Sequence, residues 1–353
     1  SSHRKDQTFF LSDAMDTLED LRQRLSDYLT EASGTPATVT QATPLAGGAS
    51  RDMWLIEATV DGEAHKLVLR RDLPTTMLED ALTREQEFRL MQAAYAAGIR
   101  VARPRWLCTD IAVLGAPFFL MDYVDGIGIG RKVVQLPELA EARAALPAQM
   151  AEQLAKIHQL DYAVHDLYFL SAPADGMTPV QEVIAQAYAV LEALNIKHPA
   201  FEFALRWAEQ NAPPTRRITL IHGDFRIGNL LVNAQGLAAV ADWEFAHIGD
   251  PLEELGYCCM RDWRFGMGHL RLGGIGDREP FLAAYEQFAG VRVDRQAVDY
   301  WEFLGNVRWG IICLAQANRH LSGRDPSVEL ASLGRRSAEM QYEMLRLIEQ
   351  MGI

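Results

Sequence analysis

The first strong pattern along the chain is helical. Over residues 11–32, Leu18, Leu21, Leu25 and Leu29 recur every three or four positions, which puts them on one helix face, with Ser12 or Asp13 as the expected cap. The period then falls to two. Residues 38–45, 51–60 and 65–71 predict three consecutive strands. Gly47-Gly48 breaks the first pair, and Asp61-Gly62 supplies a tight hairpin turn for the second. Helical spacing returns over 78–97 through Leu82, Phe88, Leu90, Met91 and Tyr95, and two short strands are predicted over 105–110 and 118–121.

After Tyr123 the character changes. Residues 125–130, with Gly126, Gly128 and Gly130, predict a flexible connector; these glycines lack the strand–turn–helix context of a dinucleotide motif. Helices are predicted at about 147–160, 179–194 and 199–211, then a compact β-rich insert over 217–241. Helices then resume to the C-terminus, with loops near 266–277 and 323–326. The expected division is a helical extension over 1–36, a sheet-bearing N-lobe over 37–124 and a larger, mainly helical C-lobe over 125–353. A cleft between two lobes is a common place for a ligand site.

Composition narrows the class. A net charge of −13 argues against non-specific nucleic-acid binding, which needs clustered Lys and Arg. No run of 18 apolar residues is present, so no membrane span is expected, and residues 1–10 lack the apolar core of a signal peptide. Cys108, Cys258, Cys259 and Cys313 show no CxxC spacing. Reduced, buried thiols and a cytoplasmic location are the expectation.

The chemistry concentrates in His222-Gly223-Asp224, Asn229 and Asp242-Trp243-Glu244. An apolar strand delivers the chain into the polar loop 222–229, a second strand leaves it, and a returning strand over 237–241 ends on Asp242. That layout gathers Asp224, Asn229 and Asp242 at the ends of one hairpin. Phosphoryl transfer needs a group to orient the attacking hydroxyl and hard oxygen ligands for Mg²⁺. In protein kinases the catalytic-loop Asp precedes a metal-binding Asn by five residues, the spacing of Asp224 and Asn229.

This set resembles the aminoglycoside phosphotransferase family and its choline-kinase-like relatives, over about residues 37–320. The resemblance implies an α+β, protein kinase-like two-lobed fold: a small antiparallel-sheet N-lobe with one main helix and a larger helical C-lobe. It implies transfer of the γ-phosphoryl group of ATP, or GTP, to a hydroxyl on a small molecule. Asp224 would take or orient the hydroxyl proton, and Asn229 and Asp242 would ligate Mg²⁺. Arg226 would stabilise charge on the γ-phosphoryl group, with a structural salt bridge as the alternative. His222 would orient the loop, Gly223 would permit close backbone approach, and Asp250 would cap a helix. His158 and His247 are read as structural.

The N-lobe supplies matching parts. Gly47, Gly48 and Ser50 would contact phosphates. The family pattern expects a Lys in the third strand, where this chain reads His65-Lys66-Leu67-Val68-Leu69-Arg70-Arg71. Alternation puts Lys66, Val68 and Arg70 on one face; Arg70 is the first choice and Lys66 the fallback. Glu87 is the expected helix partner and Glu85 the second. Backbone groups at Asp122, Tyr123 and Val124 would hold the base.

Acceptor walls are expected from the 261–277 loop, with Arg261, Trp263, Arg264, Phe265 and Arg271, and from Trp301, Asn306, Arg308 and Trp309. Those basic and aromatic residues do not favour a polycation. Family members with a Val-Leu-Arg strand occur beside acyl-CoA dehydrogenases, which makes a hydroxyacyl thioester a candidate acceptor. Two other readings stay open: a nucleotide-binding module that kept the fold, motivated by the Lys-to-Arg departure, and a metal-dependent hydrolase using His222 with the two aspartates.

Overall fold

The structure, a computed structural model, describes residues 6–45, 52–72, 81–195, 197–324 and 326–352. The chain divides into two compact units, one of residues 1–96 and 101–125, the other of residues 97–100 and 126–353.

The smaller unit runs α1 (Asp6–Ser33), β1 (Ala37–Pro44), β2 (Asp52–Val60), β3 (Glu63–Arg71), α2 (Arg84–Ala96), β4 (Pro104–Cys108), α3 (Ile111–Leu114) and β5 (Phe118–Asp122). Its five strands form one antiparallel sheet, ordered β1-β2-β3-β5-β4. Asp61 and Gly62, with φ of 51° and 78°, turn the chain between β2 and β3. Strand alternation sorts the side chains by face. Leu67, Leu69, Phe118 and Leu120 share a core with Leu21, Leu25 and Leu29 of α1. The helix expected as a separate extension therefore builds the core of the sheet. The intervening residue Phe119 meets Phe88 of α2, with ring centroids 5.8 Å apart. α2 starts at Arg84 because Thr83 and Gln86 form a reciprocal cap, each side chain accepting from the other's backbone N–H.

The larger unit runs α4 (Gly130–Gln135), α5 (Ala140–Gln159), α6 (Pro179–Leu194), α7 (Pro199–Gln210), β6 (Thr219–Ile221), β7 (Leu230–Asn233), β8 (Gly236–Val240), β9 (His247–Gly249), α8 (Pro251–Tyr257), α9 (Arg278–Ala289), α10 (Arg295–Leu321) and α11 (Val328–Met351). Its main core joins α6, α7, α10 and α11 through Phe201, Leu205, Trp301, Phe303 and Met344. α5 begins earlier than expected and continues through Pro147. The expected connector is also more ordered than its glycines suggest. Ile127 bridges Val232 of β7, and a Cβ at Gly126 would press on Leu231 and the Val232 nitrogen at 3.1 Å. Among the described residues no helix is long and apolar enough to cross a membrane.

Loop 222–229 sits between two short strand pairings. β6 pairs with β9, Ile221 opposite His247, and β7 pairs with β8, Leu230 opposite Val240. Residues 222–229 span β6 and β7, and residues 241–246 span β8 and β9, so the two loops emerge side by side. The Ala241 N–H donates to the Asn229 carbonyl at 2.9 Å and joins them.

Candidate active site

Asp224 is the hub of the larger unit's polar cluster. Its Oδ1 accepts from Arg226 Nε at 2.9 Å and from the Tyr257 hydroxyl at 2.7 Å. Its Oδ2 accepts from Asn229 Nδ2, which also donates to the Asp224 carbonyl at 3.0 Å. With its nitrogen turned to Asp224, the Asn229 amide leaves its oxygen as the atom that could hold a metal. Asp242 follows the β8 end next to Asn229 and adopts a left-handed conformation, φ 63° and ψ 62°. A non-glycine residue in that region points to a functional constraint on the backbone. Two hard oxygen donors on adjacent strand ends fit Mg²⁺, which keeps several waters and phosphate oxygens in its shell. Asp224, Arg226 and Asn229 are thus in direct contact, and Asp242 is brought beside them by strand pairing.

The loop's backbone is fixed from behind. Gly223 has φ 85°, and a Cβ there would collide with the Phe245 carbonyl, so the glycine serves close packing of two loops. His222 is fully buried. Its Nδ1 accepts from the Asp224 N–H at 3.2 Å, so its Nε2–H donates to the Ala241 carbonyl at 3.0 Å. Burial pushes its pKa below the usual value, against the opposing charges of Glu254, Asp224 and Asp242. Neutral His222 therefore ties the two loops together, as its structural reading required. Trp243 lies against it, ring centroids 4.7 Å apart.

Two residues that the sequence reading missed complete the mounting, both on α8. Glu254 is buried; its carboxylate accepts from the backbone N–H groups of His222 and Gly223, each at 3.0 Å, and pairs with His158 Nε2 at 3.0 Å. Burial alone would raise its pKa; His158 and His222 outweigh that and hold it below the usual range. His158 Nδ1 meets the Tyr285 hydroxyl at 2.7 Å. Tyr257 lies one helical turn after Glu254, on the same face. Asp250 caps α8 by accepting from the Leu252 N–H at 2.9 Å.

Arg226 pairs with Asp224 at 2.9 Å, and its guanidinium packs 4.5 Å from the Trp263 ring centroid. The acceptor-wall expectation changes as well. Arg264 pairs with buried Glu302 at 2.9 Å, and Arg271 binds the same carboxylate. Trp301 and Asn306 are core residues. Two of the loop arginines thus neutralise a buried carboxylate, and they give no information about the acceptor's charge.

In the smaller unit Arg70 and Glu87 are both buried and form an ion pair at 3.1 Å. Glu87 also binds Arg84, which pairs with Asp72 at 2.9 Å; Arg84 was not foreseen. Lys66 is exposed, 4.1 Å above the Tyr123 ring, and Glu85 is exposed. The Asp122 side chain pairs with Arg105 at 2.7 Å. The N–H groups of Asp122 and Tyr123 donate to the carbonyls of Arg103 and Lys66, both at 2.9 Å. Gly47, Gly48 and Ser50 lie outside the described residues.

A family model for the phosphotransferase enzyme family matches residues 41–301. The chain belongs to this family. It is 29% identical over 287 residues to acyl-CoA dehydrogenase family member 10 of Mus musculus, covering 78% of this chain and 26% of that protein. It is 30% identical over 319 residues to family member 11 of Pongo abelii, covering 87% and 39%. The chain therefore spans well under half the length of these curated relatives. Among solved structures, a provisionally assigned aminoglycoside phosphotransferase from Ralstonia eutropha matches with a TM-score of 0.74 at 22% identity, over 93% of this chain and 98% of that one. A thermostable mutant of aminoglycoside phosphotransferase APH(4)-Ia, solved with ADP and hygromycin B, matches with a TM-score of 0.59 at 17% identity, over 91% and 98%. The fold is the protein kinase-like two-lobed fold expected from the sequence.

Proposed function

We propose that this phosphotransferase moves the γ-phosphoryl group of ATP, or of GTP, to a hydroxyl on a small-molecule acceptor, with Mg²⁺ on Asn229 and Asp242. The observation that carries the reading is the Asp224 carboxylate held by Asn229, Arg226 and Tyr257, with Asp242 on the adjoining strand end. Bound Mg·ATP supplies the phosphoryl group and offsets its charge. Asp224 takes the acceptor's proton as the acceptor oxygen bonds to the γ-phosphorus and the bridging oxygen departs with the nucleoside diphosphate. Arg226 orients that carboxylate. Arg70, paired with Glu87, is the cation for the nucleotide phosphates, and the backbone at Asp122, Tyr123 and Val124 is the edge for the base. Gly47, Gly48 and Ser50 are the phosphate loop. The four cysteines are free, buried thiols, which supports a cytoplasmic setting.

For the acceptor we propose a hydroxyacyl thioester, supported by the acyl-CoA dehydrogenase names of the long relatives. The test uses γ-³²P-ATP and Mg²⁺ with hydroxyacyl-CoA thioesters, and with choline and hygromycin B for comparison. Label should pass to a hydroxyacyl-CoA in the wild type and not in Asp224→Asn. Transfer to choline or hygromycin B instead would replace the acceptor and keep the reaction. Tight nucleotide binding with no transfer would favour the binding-module reading.

A further inference from the structure

The two oxygens of Asp224 are not equivalent. An ionised carboxylate oxygen has two lone-pair sites. Oδ1 receives Arg226 Nε at 2.9 Å and the Tyr257 hydroxyl at 2.7 Å, so both of its sites are filled. Oδ2 receives Asn229 Nδ2, the one donor to it among the described residues, and keeps one site. Both donors to Oδ1 lean on the same ring. The Tyr257 ring lies 5.4 Å from Trp263, Trp263 lies 5.1 Å from Trp309, and the Arg226 guanidinium covers the Trp263 face. The donor cannot easily become an anion, because burial and the neighbouring Asp224 charge push the Tyr257 pKa well above its usual value.

We infer that Tyr257 is a positioning residue for the phosphoryl transfer: with Arg226 it saturates Oδ1, so the acceptor hydroxyl is received at Oδ2. The inference rests on the proposed function and adds the atom that receives the proton and the side chain that selects it. Removal of the Tyr257 hydroxyl opens a site on Oδ1, and the acceptor then binds in a second, unproductive orientation. Ground-state affinity for the nucleotide is untouched, because Tyr257 acts through Asp224.

The test measures phosphate release from Mg·ATP, with water as acceptor, by the full chain, by Tyr257→Phe and by Asp224→Asn. Tyr257→Phe should lower kcat by about tenfold to a hundredfold, the range for a misplaced reacting group, with KM for ATP within about twofold. A smaller loss of the same kind is expected for Trp263→Phe, which keeps an aromatic brace of reduced size. Unchanged kcat in Tyr257→Phe overturns the inference while the wild type still exceeds Asp224→Asn. So does a raised KM with kcat retained, since that would be a binding role. A wild type that releases no more phosphate than Asp224→Asn overturns the proposed function, and this inference with it.

Discussion

Replacing Glu254 with alanine removes one buried carboxylate that three groups share. The His222 and Gly223 N–H groups and His158 Nε2 each lie 3.0 Å from it. A hydrogen bond to a charged group contributes about 1.5–3 kcal/mol, and a buried donor left without an acceptor costs about 1–3 kcal/mol. These contributions overlap, so we expect a total of about 3–5 kcal/mol, the upper end for a single substitution. In a domain of roughly 150–250 residues that lowers Tm by about 10 °C. Glu254→Gln should lose less, because one oxygen still accepts, although its NH₂ group then faces a donor. Differential scanning fluorimetry of the wild type and both variants gives the ranking. A Glu254→Ala protein melting within about 2 °C of the wild type would refute the claim that this carboxylate anchors the loop. The Glu254 carboxyl titrates below its ordinary value, so its contribution is full above about pH 4.5 and is lost as pH falls through the folded value.

Two further outcomes are expected. Glu87→Ala should destabilise the smaller unit more than Arg70→Met does, by about 1–2 kcal/mol in urea titrations, because Glu87 serves two buried guanidinium groups. His247 is pulled down by burial but raised further by Glu253, to a net value above its usual 6.5. The stability it contributes is present below about pH 6.5 and lost as pH rises through the raised value, so Glu253→Gln should flatten the fall in Tm as pH rises above about 6.5.

The loop over residues 222–229 was legible because its polar residues are close in sequence and sit between short apolar strands. Period-two alternation put Lys66 and Arg70 on one face, and the sequence could not show that Arg70 is buried against Glu87 while Lys66 is exposed. Glu254 and Tyr257 were not legible, because their partners lie about thirty residues upstream and meet them through the β6–β9 pairing. A signal existed, since two carboxylates in Pro251-Leu252-Glu253-Glu254-Leu255 interrupt an otherwise apolar helix, and buried carboxylates need donors. The arginines near 261–271 misled for the converse reason. Their partner Glu302 lies on α10, and nothing local in the sequence shows that Arg264 and Arg271 are already paired. Pro147 fails as a helix boundary, since a proline can be accommodated within a long packed helix at the loss of one backbone bond.

The most direct test of the central claim is a crystal structure of the full chain with AMP-PNP and Mg²⁺. One Mg²⁺ is expected with Asn229 Oδ1 and an Asp242 carboxylate oxygen at about 2.0–2.1 Å, and Asp224 outside its shell with Oδ2 open toward the acceptor side. A nucleotide-bound Mg²⁺ that Asp242 does not touch, or one ligated by Asp224, would contradict it.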